Sequence, residues 1–218
     1  AYDRTSYVVE LPANRLELYA RIYGDVMRNP VFRQFYEERD VVREERRSRT
    51  EDDPQGFLLE AFVAEAFEVH PYGRSLIGTN EEIDSYSKSA ALAFFERYYQ
   101  PNRAVLALVG DVDVERDLPI IEKYFADIES SPDLRPRIPT EPPQTAERRV
   151  TVEYDAESQI MIGYHKPTYP ERDAYVLDLL SAVLSRGRTS RLYERMVLQD
   201  QIAISASTTS SYPGTRFP

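Results

Sequence analysis

The 218-residue sequence contains no cysteine, no tryptophan and only two histidines, His70 and His165. Without cysteine, a disulfide framework, a thiolate zinc site, an iron–sulfur cluster and a cysteine nucleophile are excluded. Two histidines so far apart in sequence do not make a self-contained His-rich metal site. No apolar run reaches the roughly 18–20 residues that a membrane span needs.

Basic residues are also in the minority, with 27 Lys+Arg against 37 Asp+Glu and a formal net charge of −10. This balance argues against a nucleic-acid or anionic-membrane surface. The 42% hydrophobic and 29% charged content is typical of a globular protein of one large or two small domains. The sequence starts at Ala1, with neither an initiator Met nor a signal-peptide pattern, so we expect a processed or excised piece.

Apolar residues at helical spacing predict seven helices. The first is predicted to begin with a capping box formed by Asn14 and Glu17, and the third with Asp53 as cap and Pro54 as first residue. The predicted helices cover about 15–28, 37–49, 54–67, 88–99, 114–125, 171–184 and 189–198.

Stretches rich in β-branched and aromatic residues predict strands between these helices. The most apolar of them, 103–109, is typical of a strand covered on at least one face. Because strands and helices do not alternate strictly, we expect an α+β fold. The predicted strands cover 5–11, 103–109, 148–154, 159–164 and 203–209.

A proline-rich stretch at 130–147 separates two halves of the sequence. It holds five of the 15 prolines and no glycine, which indicates a stiff, extended connector. We therefore predict a domain boundary there, with one domain over 1–129 and a second over 148–218.

One predicted helix, 37–49, carries a candidate metal ligand. Glu38, Val41, Val42 and Glu45 are spaced 0, 3, 4 and 7 and share one face. The two valines are the only apolar residues of this helix, so we expect that face to point inward. A buried carboxylate is costly unless it is paired or bound to metal, which makes Glu45 a candidate ligand and Glu38 a candidate supporting residue.

Spacing alone leaves a second interpretation of this helix open. Charge-dense helices are usually solvated, and Glu45 can pair with Arg49 one turn on. The arginines of this helix alternate with acids, which indicates local ion pairs.

The remaining polar candidates favour structural roles. His70 precedes Pro71 in a turn and is expected to make a structural hydrogen bond. His165, between a predicted strand and Lys166, is expected to be an exposed edge residue. The stretch 110–113 has a single glycine and is typical of a strand-to-helix turn with Asp caps rather than of a phosphate loop. A Ser-His-Asp triad has no sequence support.

Several different short motifs follow one another along nearly the whole sequence. They are Asp3–Tyr7; Asp25 with Asn29-Pro30-Val31-Phe32; Glu38–Glu45 as Glu-Arg-x-Val-Val-x-x-Glu; His70-Pro71-Tyr72-Gly73 with Ile77-Gly78; Phe95, Tyr99, Pro101-Asn102 and Val109-Gly110-Asp111-Val112; and Ser190-Arg191-Leu192-Tyr193. Together they resemble the pitrilysin/insulinase family of zinc peptidases, which includes the mitochondrial processing peptidases and many bacterial zinc proteases.

The resemblance implies a fold and a domain arrangement. The fold is an α/β roll repeat in which a mixed, mostly antiparallel sheet packs with helices, here truncated at both ends. Residues 1–129 would be the C-terminal part of a first peptidase-like domain and 148–218 the N-terminal part of a second.

The resemblance also implies a zinc site of which this sequence holds one part. In the family, a His-x-x-Glu-His helix gives two zinc ligands and the general base. By the resemblance, Glu45 would be the third zinc ligand and Glu38 its supporting carboxylate. The sequence has no His-x-x-Glu-His, which would lie several dozen residues before Ala1. We therefore expect a fragment that by itself is inactive and does not hold the zinc of the intact protein.

Family partner domains hold the substrate backbone with an Arg and a Tyr seven residues apart. The matching positions here are Val197 and Ile204, so the resemblance implies a homo- or heterodimer whose second subunit supplies this clamp. The implied function is hydrolysis of peptides or small unfolded proteins by a zinc endopeptidase. The alternative is a non-catalytic partner or scaffold subunit of the same family. Bacterial relatives of this type are often exported, which favours a periplasmic or other extracytoplasmic location.

Overall fold

The computed structural model describes residues 2–130, 132, 137–210 and 212–214. These ranges contain helices of three kinds. The α-helices are α1 (Leu16–Arg28), α2 (Phe35–Arg46), α3 (Pro54–Ala66), α4 (Asn80–Ser85), α5 (Lys88–Tyr98), α6 (Val114–Phe125) and α7 (Arg172–Ser185). There are two π-helical segments, called here the first π-turn (Arg47–Glu51) and the second π-turn (Tyr193–Gln199). Short 3-10 turns lie at Ala13–Arg15, Pro71–Gly73 and Pro101–Arg103.

The expected α+β fold with a mixed, mostly antiparallel sheet is wrong, because the described residues form no β-strand and are all-α. Apart from Arg103, which ends a 3-10 turn, the five predicted strands are non-helical. Many of their apolar side chains stay in solvent, as in Val105 (94% exposed), Val109 (95%) and Ile204 (89%). β-Propensity measures how well a side chain fits a pleated, half-buried surface. Without a neighbouring ladder, that preference does not make a strand.

The helix starts follow local hydrogen-bonding rules, although the first prediction of a capping box is wrong. A 3-10 turn over Ala13–Arg15 leads into α1, and the Glu17 carboxylate accepts instead from Lys123 at 2.7 Å. A capping box lies instead at α4, where the Thr79 hydroxyl accepts from the Glu82 amide and the Glu82 carboxylate accepts from the Thr79 amide. Its Thr-x-x-Glu spacing was readable from the sequence.

The chain divides into two compact units. The α3 unit comprises Ala1–Thr5, Pro54–Leu76 and Thr140–Pro218, and the α1 unit comprises Ser6–Asp53 and Ile77–Pro139. Both units combine stretches that are distant in sequence. The domain boundary at 130–147 stays a prediction.

In the α1 unit, α1 packs against α6 through small residues. Ala20 is fully buried and Gly24 is also buried. A Cβ on Gly24 would lie 2.6 Å from the Tyr124 carbonyl oxygen and 3.2 Å from the Tyr124 Cβ. Glycine therefore permits the close approach of the two helices.

The start of α6 is held by a cluster of acids around one arginine. The Asp113 carboxylate caps the helix by accepting from the Arg116 amide at 2.8 Å. This confirms the expected Asp cap, although the residues at 103–109 before the turn form no strand. Asp117 accepts from Arg116 Nε at 2.7 Å and from the Asp113 amide at 2.9 Å. These hydrogen bonds lower the pKa of Asp117 to about 2.

In the α3 unit, α3 and the turn that follows it contact residues from the N-terminal and C-terminal stretches of the unit. Gly163 lies against the ring of Phe62, so close that an added Cβ would be 2.4 Å from Phe62 Cζ. Tyr72, 3% exposed, donates its hydroxyl hydrogen to Asp3 at 2.5 Å. In α7, Ala174 is fully buried.

We expect Gly24→Ala to lower the free energy of unfolding by about 1–3 kcal/mol, because the added methyl group meets backbone atoms of α6 that cannot move independently. Urea denaturation measures the change. Arg21→Ala, at an exposed position of the same helix, should change stability by less than about 0.5 kcal/mol. Equal stability of Gly24→Ala and the wild type would contradict the close approach.

The lowered pKa of Asp117 predicts that this residue makes an acid-sensitive contribution to the free energy of unfolding. Because its folded-state pKa of about 2 is below the ordinary 3.8, this contribution is complete above pH 4 and is lost as the pH falls through 2. Between pH 4 and pH 2, Asp117→Asn should therefore lose less stability than the wild type in urea denaturation. Asp111→Asn is the control, because Asp111 accepts from Arg116 through its backbone carbonyl. Parallel pH profiles for Asp117→Asn and the wild type would refute this prediction.

Candidate metal-ligand helix

Helix α2 is fixed to the region of α4 by one face of arginines. Arg39, Arg43 and Arg46, at spacings of four and three, lie on the same side of the helix. Arg39 donates to the Asp84 carbonyl at 3.1 Å, Arg43 pairs with the Asp84 carboxylate, and Arg46 donates to the Gly78 carbonyl at 2.6 Å. This face determines the rotation of α2 about its axis.

The first π-turn directly follows α2 and is closed by ion pairs at a spacing of five residues. Arg46 Nε lies 3.2 Å from the Glu51 carboxylate, and Arg47 Nη1 lies 3.1 Å from that of Asp52. The Asp52 amide donates to the Arg47 carbonyl at 2.7 Å, the i+5 to i bond of a π-helix. Asn80 adds a hydrogen bond to Glu51 at 2.6 Å.

The second π-turn repeats this arrangement in the α3 unit. Arg195 Nε lies 2.7 Å from the Asp200 carboxylate, and the Asp200 amide donates to the Arg195 carbonyl at 2.9 Å. Sequence reasoning missed both π-turns.

The face that carries Glu38, Val41, Val42 and Glu45 lies roughly 120° around α2 from the arginine face. Val41 is 58% exposed and Glu38 is also exposed, whereas Val42 and Glu45 are half-buried, so this face points inward only in part. The arginines, which reach carbonyls and carboxylates near α4, occupy the packed side instead. Glu45 forms an ion pair with Arg49, as the solvated interpretation expected.

The described residues do not by themselves fit a catalytic zinc. Such a zinc needs three protein ligands and an open position for water. Within the part of the chain that the structure describes, no group of three or more His, Cys, Asp or Glu residues could hold a metal ion. Glu45 offers one carboxylate, on a side chain 40% exposed. Its role as a ligand, and that of Glu38 as a support, stay predictions.

The two histidines lie in the α3 unit and make structural contacts. His70 is 5% exposed and its Nδ1 accepts from the Tyr72 amide at 3.1 Å, which confirms the expected structural hydrogen bond. Burial lowers the pKa of His70. His165 is exposed, as expected, with Nε2 at 3.0 Å from the Ala66 carbonyl oxygen.

Comparison with known proteins decides the family. Residues 85–217 match a family model described as the peptidase M16 inactive domain. The chain belongs to the peptidase M16 family. The matched residues start at the end of α4, so α2 with Glu38 and Glu45 lies outside them.

Curated relatives of this M16 chain carry peptidase names. It is 29% identical over 214 residues to the zinc protease PqqE of Helicobacter pylori, covering 94% of this chain and 48% of that protein. An uncharacterized zinc protease of Mycobacterium leprae is 30% identical over 206 residues, covering 90% and 45%. A probable mitochondrial-processing peptidase subunit beta of Arabidopsis thaliana is 20% identical over 187 residues, covering 84% and 35%.

A solved structure is similar in fold to this M16 chain. The crystal structure of a protease from Helicobacter pylori aligns with a TM-score of 0.79 at 28% identity, covering 91% of this chain and 50% of that one. The chain thus spans about half the length of these Helicobacter pylori proteins. Over the described ranges, no helix has the length and apolar character to cross a bilayer.

We expect Arg46→Met to lower the free energy of unfolding by about 2–4 kcal/mol, because it removes a buried donor to the Gly78 carbonyl and the partner of Glu51. Arg47→Gln is the matched control, since its ion pairs with Glu44 and Asp52 are exposed on both sides and contribute little to stability. Urea denaturation compares the two. Equal losses of unfolding free energy in the two variants would show that the buried contact of Arg46 stabilises the fold no more than the exposed contacts of Arg47.

Proposed function

We propose that this chain is part of a zinc-dependent metalloendopeptidase that hydrolyses peptides or small unfolded proteins. The observation that carries this proposal is the placement of Glu-Arg-x-Val-Val-x-x-Glu on one continuous helix, α2, with both glutamates on the same accessible face. Membership of the M16 family and the zinc-protease names of relatives support it.

Glu45 is the residue of this chain proposed to bind zinc. It supplies one of the three protein ligands that a catalytic zinc needs, so the others come from residues outside this sequence. The partner that Glu45 now has, Arg49, is itself 76% exposed. An exposed pair of this kind is worth about 0–1 kcal/mol, so its exchange for a metal costs little. Glu38, two turns before Glu45, is proposed to support the site.

A second candidate function is a non-catalytic partner or scaffold subunit of the same family. It is favoured by the match of residues 85–217 to a domain described as inactive. Val197 and Ile204 stand where the family pattern has its substrate-holding Arg and Tyr, so in either function we propose a second subunit that supplies them. The proposed location is extracytoplasmic.

The parent gene separates the two functions. An upstream His-x-x-Glu-His would supply the missing ligands and the base of the endopeptidase. Its absence there would reject the endopeptidase and leave the scaffold.

Glu45→Gln tests the ligand assignment in the full-length protein. Loss of the carboxylate charge should lower both the bound zinc per chain and the rate of peptide cleavage, the latter by at least about 100-fold. Atomic absorption and cleavage of an unstructured peptide measure the two effects. Glu44→Gln is the matched control, because Glu44 is the exposed neighbour of Glu45 and its carboxylate accepts a hydrogen bond from Arg47 at 2.7 Å. Unchanged zinc and cleavage in Glu45→Gln would refute the assignment.

A further inference from the structure

Glu141 lies in the proline-rich stretch and makes an unusual set of contacts within the α3 unit. Its carboxylate accepts from three consecutive backbone amides, Glu68 at 2.6 Å, Val69 at 3.1 Å and His70 at 2.8 Å. These amides belong to the loop that directly follows α3. A single side chain therefore satisfies three donors of this loop.

Consecutive backbone N–H groups that converge on one point form an anion-binding nest. The amides of 68–70 do so here, and the bound anion is the protein's own carboxylate. Partial burial raises the pKa of Glu141, but the three backbone hydrogen bonds outweigh it and hold the pKa below its ordinary range. The carboxylate is therefore charged at neutral pH, when such hydrogen bonds are strongest.

Basic residues bind the carbonyls at the same end of α3. Arg148 donates to the Glu65 carbonyl at 3.1 Å and also pairs with the Glu68 carboxylate. His165 Nε2 lies 3.0 Å from the Ala66 carbonyl oxygen. The cationic Arg148 thus lies on a carbonyl at the negative end of α3, and the Glu141 carboxylate lies on the amides of the loop that follows.

The residues next to Glu141 have few backbone donors with which to bind the rest of the unit. Pro139, Pro142 and Pro143 carry no amide hydrogen and cannot donate backbone hydrogen bonds. Residues 142–147 are exposed. The Glu141 side chain therefore provides an attachment that the proline backbone cannot.

We propose that Glu141 is a latch: its carboxylate, seated in the backbone nest of residues 68–70, holds residues 140–147 against the end of α3. Opening the latch frees this stretch and the loop amides while the helices stay folded. The nest takes a carboxylate because its three donors match the two oxygens and the charge of that group.

Hydrogen exchange of the full-length protein tests the latch. In Glu141→Gln, the amides of residues 68–70 should exchange on the order of tenfold faster, because an amide side chain offers one neutral acceptor and an NH₂ group that faces other donors. Glu147→Gln is the matched control, as this exposed residue of the same stretch pairs with Arg149 at 2.8 Å. It should leave these amides unchanged.

Glu141→Asp provides a second measurement, because it keeps the charge but shortens the side chain by one methylene. We expect an exchange rate at 68–70 between those of the wild type and Glu141→Gln. Wild-type exchange in Glu141→Gln would overturn the proposal. So would an equal rise in the amides of α1, which belongs to the other unit, because a latch acts locally.

Discussion

The contact of an arginine guanidinium with a carboxylate or a carbonyl is the interaction on which several helix ends of this protein depend. It closes both π-turns, fixes α2 to the region of α4 and binds the Glu65 carbonyl near the end of α3. Arginine suits these positions because its planar, always charged fork reaches two acceptors at once. Lysine, a compact point charge, could not make such two-acceptor contacts, and the sequence has only three lysines, Lys88, Lys123 and Lys166. The arginine-rich composition thus has a structural use.

The helices could largely be predicted from the sequence, because apolar periodicity and caps act over a few residues. Pro54 starts α3 and Ser87 caps α5 by accepting from the Ala90 amide at 3.2 Å. The π-turns left no readable pattern, because a single turn with i+5 hydrogen bonds is too short to change the apolar periodicity. The strands were wrong for a different reason. A strand needs a neighbour that lies elsewhere in the chain, and β-branched content does not report whether one is present.

The candidate site was predictable only in part. Spacing correctly placed Glu38 and Glu45 on one face of α2, since helical geometry requires it. The direction of that face was not predictable from two valines, because three arginines make the contacts that set the rotation of the helix. The metal role of Glu45 came from the family motif, since one carboxylate does not specify a metal. The Glu141 contact was invisible to motif reasoning, because it joins residues about 70 apart.

The exposed apolar side chains of the non-helical segments set a limit on the behaviour of the chain at high concentration. Ile160, Ile162 and Tyr164 follow one another at alternate positions and are 90%, 73% and 88% exposed. Extended apolar stretches of this kind attract copies of themselves. The net charge of −10 opposes such association through repulsion, which salt screens. Colloidal stability of this polypeptide therefore depends on ionic strength, so dilute salt favours separate molecules and concentrated salt favours self-association.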